Sequence, residues 1–124
     1  MNTRKGFTLI ELLVVLTIIG SLLTIVAPRF FQQMDKGREA VLRQNLYALR
    51  SSIDKYYGDK GAYPAELRTL VTAHYLREIP VDPFTSSNQT WQLTRSADTD
   101  NPGIADIHSG ATGAALDGTR LADW

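Results

Sequence analysis

Lys5-Gly6-Phe7-Thr8-Leu9-Ile10-Glu11 opens an apolar run that continues to Ala27 and contains a single acid, Glu11. Residues 7–27 number 21, and as a helix rising ~1.5 Å per residue they reach roughly 30 Å, the thickness of a bilayer core. The run is built from Leu, Ile and Val with a few small polar residues, Thr8, Thr17, Gly20, Ser21 and Thr24. A helix absorbs such hydroxyls by bonding them back to its own carbonyls. Glu11 is the exception, because an ionised side chain within a span costs on the order of 2.5–3.5 kcal/mol on insertion scales and is normally paired.

Arg4 and Lys5 before an apolar stretch also suggest a secretory signal peptide. The fit is poor: signal h-regions are shorter and end in a small-residue cleavage site, whereas Ile25-Val26-Ala27-Pro28-Arg29 offers none. The span is therefore expected to stay in the mature protein, with the two basic residues holding the N-terminus on the cytoplasmic side.

The stretch from Lys5 to Glu11 resembles the processing site of type IV pilins and of the pseudopilins of type II secretion. The resemblance implies that a prepilin peptidase cuts after Gly6 and methylates the new N-terminal Phe7. It makes Glu11 the assembly residue. A methylated α-amino group remains a cation, so Glu11 of one subunit can neutralise the Phe7 ammonium of another inside the hydrocarbon, and misplacement leaves both charges unpaired. Alternatively, Glu11 serves its own helix N-terminus, where orphan N–H groups and the helix dipole favour an acid.

Beyond the span, Pro28 lacks an N–H and is expected to kink or loosen the helix near Thr24. Helical spacing then resumes in Met34, Leu42, Leu46, Leu49, Ile53 and Tyr56 or Tyr57, one apolar stripe read as core. Glu39 and Arg43 are spaced as an i, i+4 ion pair. The expected helix covers residues 7–57 and ends at Gly58-Asp59-Lys60-Gly61. Residues 65–76 read as a short helix with Leu67, Leu70, Val71 and Leu76 inward. Trp91-Gln92-Leu93-Thr94 and Ile104-Ala105-Asp106-Ile107-His108 read as strands joined across the turn-rich residues 96–103. Tyr63-Pro64 and Pro80-Val81-Asp82-Pro83-Phe84 resemble stretches of the major, G-type pseudopilins. The expected organisation is α+β and type IV pilin-like, a long N-terminal helix packed on a small antiparallel head. It divides into a leader (1–6), a transmembrane half of the helix (7–27), a soluble half (28–57) and a periplasmic head (58–124).

Thirteen basic residues balance thirteen acidic ones, and loss of Arg4 and Lys5 leaves an acidic excess, a poor footprint for nucleic acid. No cysteine is present to staple the C-terminal region. G-type pseudopilins bind calcium in a C-terminal loop, and residues 105–110 and 122–124 resemble the two ends of that loop. Carboxylates suit this hard cation, and Asp106, Asp117 and Asp123 are the candidate ligands, although Thr112, Thr119 and Arg120 stand where the family usually carries acids. The alternative is that these are solvated turn acids. Asp98-Thr99-Asp100 also mimics the start of an EF-hand loop, but Ser109 occupies the place of its bidentate acid.

His74 and His108 are the only histidines, and no nucleophile, base and orienter set accompanies them. No enzymatic role and no required cofactor are expected. The resemblance implies a structural subunit of a secretion pseudopilus in the bacterial inner membrane, polymerising with copies of itself and with minor pseudopilins on an inner-membrane assembly platform to drive protein export. A pilin for adhesion, motility or DNA uptake is the alternative.

Overall fold

The computed structural model describes residues 5–124. The first four leader positions, Arg4 among them, lie outside the described residues. The long helix α1 spans Leu9–Lys60 and is unbroken at Pro28, so the chain absorbs the missing N–H without leaving helical conformation. The helix outlasts its expected end by three residues and stops where Gly61 takes φ +69° and returns its N–H to the Tyr57 carbonyl. Only glycine enters that left-handed region without a Cβ penalty.

The chain divides into two units, Met1–Asp35 and Lys36–Trp124. In the first, the large apolar side chains from Phe7 to Phe31 are exposed all round the helix, and the described helix contains a stretch long and apolar enough to cross a membrane. Thr17 and Ser21 donate to the carbonyls four residues back, Leu13 and Thr17, and Thr24 donates to that of Ser21. The span's hydroxyls are thus satisfied within the helix.

In the second unit, Leu42, Leu46, Leu49 and Ile53 of α1 are buried in one core with Leu67, Leu70, Trp91, Ile104, Ile107 and Leu121. The apolar stripe begins at Leu42: Met34, expected in it, is 43% exposed and belongs to the first unit. Tyr56 packs at the core's edge against Tyr75, while Tyr57 stacks on Tyr63. The short helix α2 covers Leu67–Thr72 only. It ends because His74 adopts φ 65° and its N–H bonds the Val71 carbonyl, while the Tyr75 N–H reaches back to Leu70, the paired bonds of a Schellman stop. Leu67 and Leu70 are buried as expected, and Val71 is half-exposed.

Strands β1 (Gln92–Arg95) and β2 (Ile104–His108) form an antiparallel pair, with Ser96 donating to the Gly103 carbonyl across their connection. Thr94 faces Asp106 but Arg95 faces Ile104, which leaves Ala105 as an extra residue. This bulge breaks the alternation of β2 and lets both Ile104 and Ile107 enter the core. A 3-10 turn, η1, closes the chain at Leu121–Asp123, its Leu121 buried.

Candidate functional site: the N-terminal segment and the C-terminal loop

The processing motif lies at the start of α1. Gly6 and Phe7 precede the helix in non-helical backbone, and the Phe7 ring is 94% exposed. Thr8 is the helix cap: its Oγ1 accepts from the Glu11 N–H at 3.2 Å, and its own N–H donates to Glu11 Oε2 at 3.4 Å. This reciprocal pattern is a capping box, set by a Thr three residues ahead of a Glu. Glu11 therefore serves its own helix N-terminus in the uncleaved chain, the second of its two expected roles. Cleavage after Gly6 would free a charged amino group one residue before the cap.

The second region joins β2 to the C-terminal turn through Arg50, a residue that no pattern in the sequence singles out. Arg50 Nε donates to Asp106 Oδ1 at 3.0 Å, and Nη2 donates to the Ile107 carbonyl at 2.8 Å and to the Trp124 carbonyl. His108 Nε2 lies 3.6 Å from the other Asp106 oxygen. The Arg43 guanidinium stacks 4.4 Å from the centre of the Trp124 ring, a cation–π contact. Trp124 Nε1 donates to Thr119 Oγ1 at 2.8 Å, and Thr119 donates to Asp117 Oδ1 through both its hydroxyl, at 2.6 Å, and its N–H, at 3.0 Å. Those two bonds, the hydroxyl's first, hold the Asp117 carboxyl below its ordinary value of 3.8.

Glu39 and Arg43 do not form the expected i, i+4 pair. Glu39 Oε1 instead accepts the Leu116 N–H at 2.6 Å, so both residues of the spacing turn to the C-terminal loop. Long-range partners, a backbone donor for Glu39 and an aromatic ring for Arg43, outcompete a surface pair that is worth only a few tenths of a kcal/mol.

The candidate calcium ligands are dispersed. Asp106 is bound to Arg50, Asp117 to Thr119, and Asp123 sits in η1. Among the described residues no three or more His, Cys, Asp or Glu side chains gather closely enough to hold a metal ion. As placed, these oxygens do not fit a calcium cage. Asp98 Oδ1 accepts the Asp100 N–H and Oδ2 accepts from Asn101, so the EF-hand-like stretch closes on itself as an Asx turn.

Asp82 stands in the stretch that resembles the G-type pseudopilins, and the structure gives it a role that the resemblance did not. It is fully buried, and its carboxylate accepts from Ser109 Oγ at 2.5 Å and from the Phe84 N–H at 2.9 Å, tying the Pro80-Val81-Asp82-Pro83 stretch to the end of β2. The two histidines do not meet as a catalytic pair: His74 makes the stop of α2, and His108 lies beside Asp106.

The prokaryotic N-terminal methylation motif matches residues 1–27. Over 105 residues the chain is 31% identical to a type II secretion system core protein G of Klebsiella pneumoniae, covering 72% of this chain and 75% of that protein. It is 32% identical to the core protein G of Pseudomonas aeruginosa, over 65% of this chain and 68% of the relative. The fimbrial protein EcpC of Eikenella corrodens is 34% identical over a shorter stretch, 52% of this chain and 42% of its own length. No solved structure matches the chain. With the methylation motif at the head of one long apolar helix, a two-stranded antiparallel sheet behind it, and such similarity through both, the chain belongs to the family of type II secretion system core protein G, the major pseudopilins.

Proposed function

We propose that this pseudopilin is cleaved after Gly6, methylated at Phe7 and polymerised from the inner membrane into a periplasmic pseudopilus that drives protein export. The observation that carries the reading is the position of the motif. Lys5-Gly6-Phe7 immediately precedes a helix whose first half exposes Leu, Ile and Val all round, while its second half supplies the core of the head unit. An apolar surface without polar relief requires lipid or other copies of the same helix. The basic Lys5 before the span orients the N-terminus to the cytoplasm and the head to the periplasm. The role is structural rather than enzymatic: the two histidines have structural surroundings, and two of the three relatives named above are secretion-system core proteins. Minor pseudopilins and an inner-membrane platform are the remaining partners of this reading.

Co-expression with a prepilin peptidase tests it. Mass spectrometry of the mature chain should find Met1 to Gly6 removed and a methyl group on Phe7. Gly6→Val should block cleavage, since a Cβ-branched residue cannot follow the backbone path that glycine allows in a tight protease site. An intact N-terminus, or cleavage near Ala27, refutes the reading. The shorter similarity to a fimbrial protein keeps a surface pilus as the second reading; neighbouring genes for a secretin rather than retraction machinery separate the two.

A further inference from the structure

We propose that Arg50 closes the C-terminal loop of this chain in place of a metal ion. The resemblance to G-type pseudopilins leads to an expectation of calcium there, yet the donor set found is organised around a guanidinium. A calcium site gathers oxygens around a positive charge. Arg50 gathers oxygens too: a carboxylate from Asp106 and the carbonyls of Ile107 and Trp124, drawn from β2 and the C-terminal turn. Its charge is permanent and its N–H donors form a rigid fork, so the loop is held at any cation concentration.

The neighbouring groups agree with this assignment. Asp117 spends its Oδ1 on the hydroxyl and N–H of Thr119, Thr119 accepts from the Trp124 indole, and Glu39 is taken by the Leu116 N–H. The Trp124 ring lies under a second guanidinium, that of Arg43. A divalent ion entering here would have to displace these bonds and face two fixed positive charges. The positions where the sequence departs from the acid-rich pattern, Thr119 and Arg120, lie in this same segment, and Thr119 has become the link between Asp117 and Trp124. Pseudopilus growth, on the function proposed above, is then independent of calcium as far as this loop is concerned.

The test uses the full chain in detergent micelles, melted in millimolar calcium chloride and in excess EGTA. The expected result is one melting temperature in both. Arg50→Gln should melt roughly 5 °C or more lower in both media, as loss of a multiply bonded guanidinium in a small domain would give. Arg50→Lys should fall between, because it keeps the charge without the fork. A calcium-dependent rise in the wild-type melting temperature, abolished by Asp117→Asn or Asp123→Asn, overturns the proposal, and so does an Arg50→Gln chain that melts like wild type. If Arg50→Gln does not accumulate, the wild-type comparison and Arg50→Lys still decide. Filaments sheared from cells grown with calcium or chelator should be equally abundant. Absence of filaments in both media refutes the filament reading instead, and leaves the melting result to judge the loop.

Discussion

Thr8 and Glu11 exchange hydrogen bonds, each side chain taking the other's backbone N–H at the first turn of α1. The bonds are long, 3.4 and 3.2 Å, and exposed, so the capping box is a modest holder of the carboxylate. Helix caps are worth ~1 kcal/mol, whereas leaving one partner of a buried ion pair alone costs about 3–5 kcal/mol. A neighbouring Phe7 ammonium in lipid can therefore draw Glu11 away from its own helix.

That difference separates the two roles of Glu11. Thr8→Ala removes the cap but leaves the acid, and filament yield in a shearing assay should stay near wild type. Glu11→Ala should insert into the membrane at least as well as wild type and yield almost no filament, because a neighbour's ammonium is left unpaired. Glu11→Asp should be intermediate through its shorter reach. Normal filaments from Glu11→Ala would show that the acid serves only its own helix.

Asp82 should prove the most sensitive polar residue of the head unit. Asp82→Ala strands the Ser109 hydroxyl and the Phe84 N–H in a buried place, at about 1–3 kcal/mol for each unsatisfied group. Asp82→Asn, which keeps an acceptor and the volume, should cost roughly half as much or less. Urea unfolding of the full chain in detergent measures both. Ser109→Ala in the Asp82→Ala background should add little, since the pair acts as a unit; full additivity would disprove the coupling.

The parts of the fold written in local patterns were legible before the structure. The period of Leu42, Leu46, Leu49 and Ile53 marks the core face of α1, and two apolar-rich runs flanking a turn-rich segment mark the β hairpin. The prepilin motif is equally local. What escaped depends on partners far along the chain: Arg50 meets residues 56 to 74 positions away, and an arginine on a helix reads as solvated until its partners are known. The Ala105 bulge hid for another reason. The run Ile104 to His108 alternates like a regular strand, and only the register with Thr94 and Arg95 reveals the extra residue. Met34 continued the stripe by spacing alone, but its side chain is exposed.

Gly103 should tolerate no side chain. It holds φ +135°, and a Cβ there would stand 2.8 Å from the Cβ and carbonyl oxygen of Tyr63. Backbone strain of this kind costs on the order of 1–3 kcal/mol before the clash is counted, so Gly103→Ala should lower the melting temperature markedly. Gly58 is the control: it lies within α1 with open space around it. Gly58→Ala should stabilise by roughly 0.5–1 kcal/mol, the ordinary helix preference for alanine. Equal effects at the two positions would contradict the described backbone.

Stability should hold level through neutral pH and fall at both extremes, for reasons that differ in sign. Asp117 is held below its ordinary 3.8 by Thr119, and Asp98 below its own by the Asn101 side chain and then the Asp100 N–H. A depressed carboxyl contributes stability that is present above the unfolded pKa and lost as pH falls through the folded one, so this contribution disappears below about pH 4. Tyr75 works in the opposite direction: its hydroxyl donates to Asp59 Oδ2 at 2.6 Å, and that bond, followed by desolvation, raises it above 10.0. The phenol's contribution is complete below the unfolded pKa and is lost as pH climbs through the folded one, on the alkaline side of about pH 10. Because Asp98 and Asp117 are exposed and Tyr75 is only partly buried, each effect should be small. Denaturant midpoints across pH check it: Asp117→Asn should flatten the acid limb and leave the alkaline limb alone, and Tyr75→Phe should do the reverse. A Tyr75→Phe chain that still loses stability above pH 10 as steeply as wild type would mean that the bond to Asp59 is not what the alkaline limb reports.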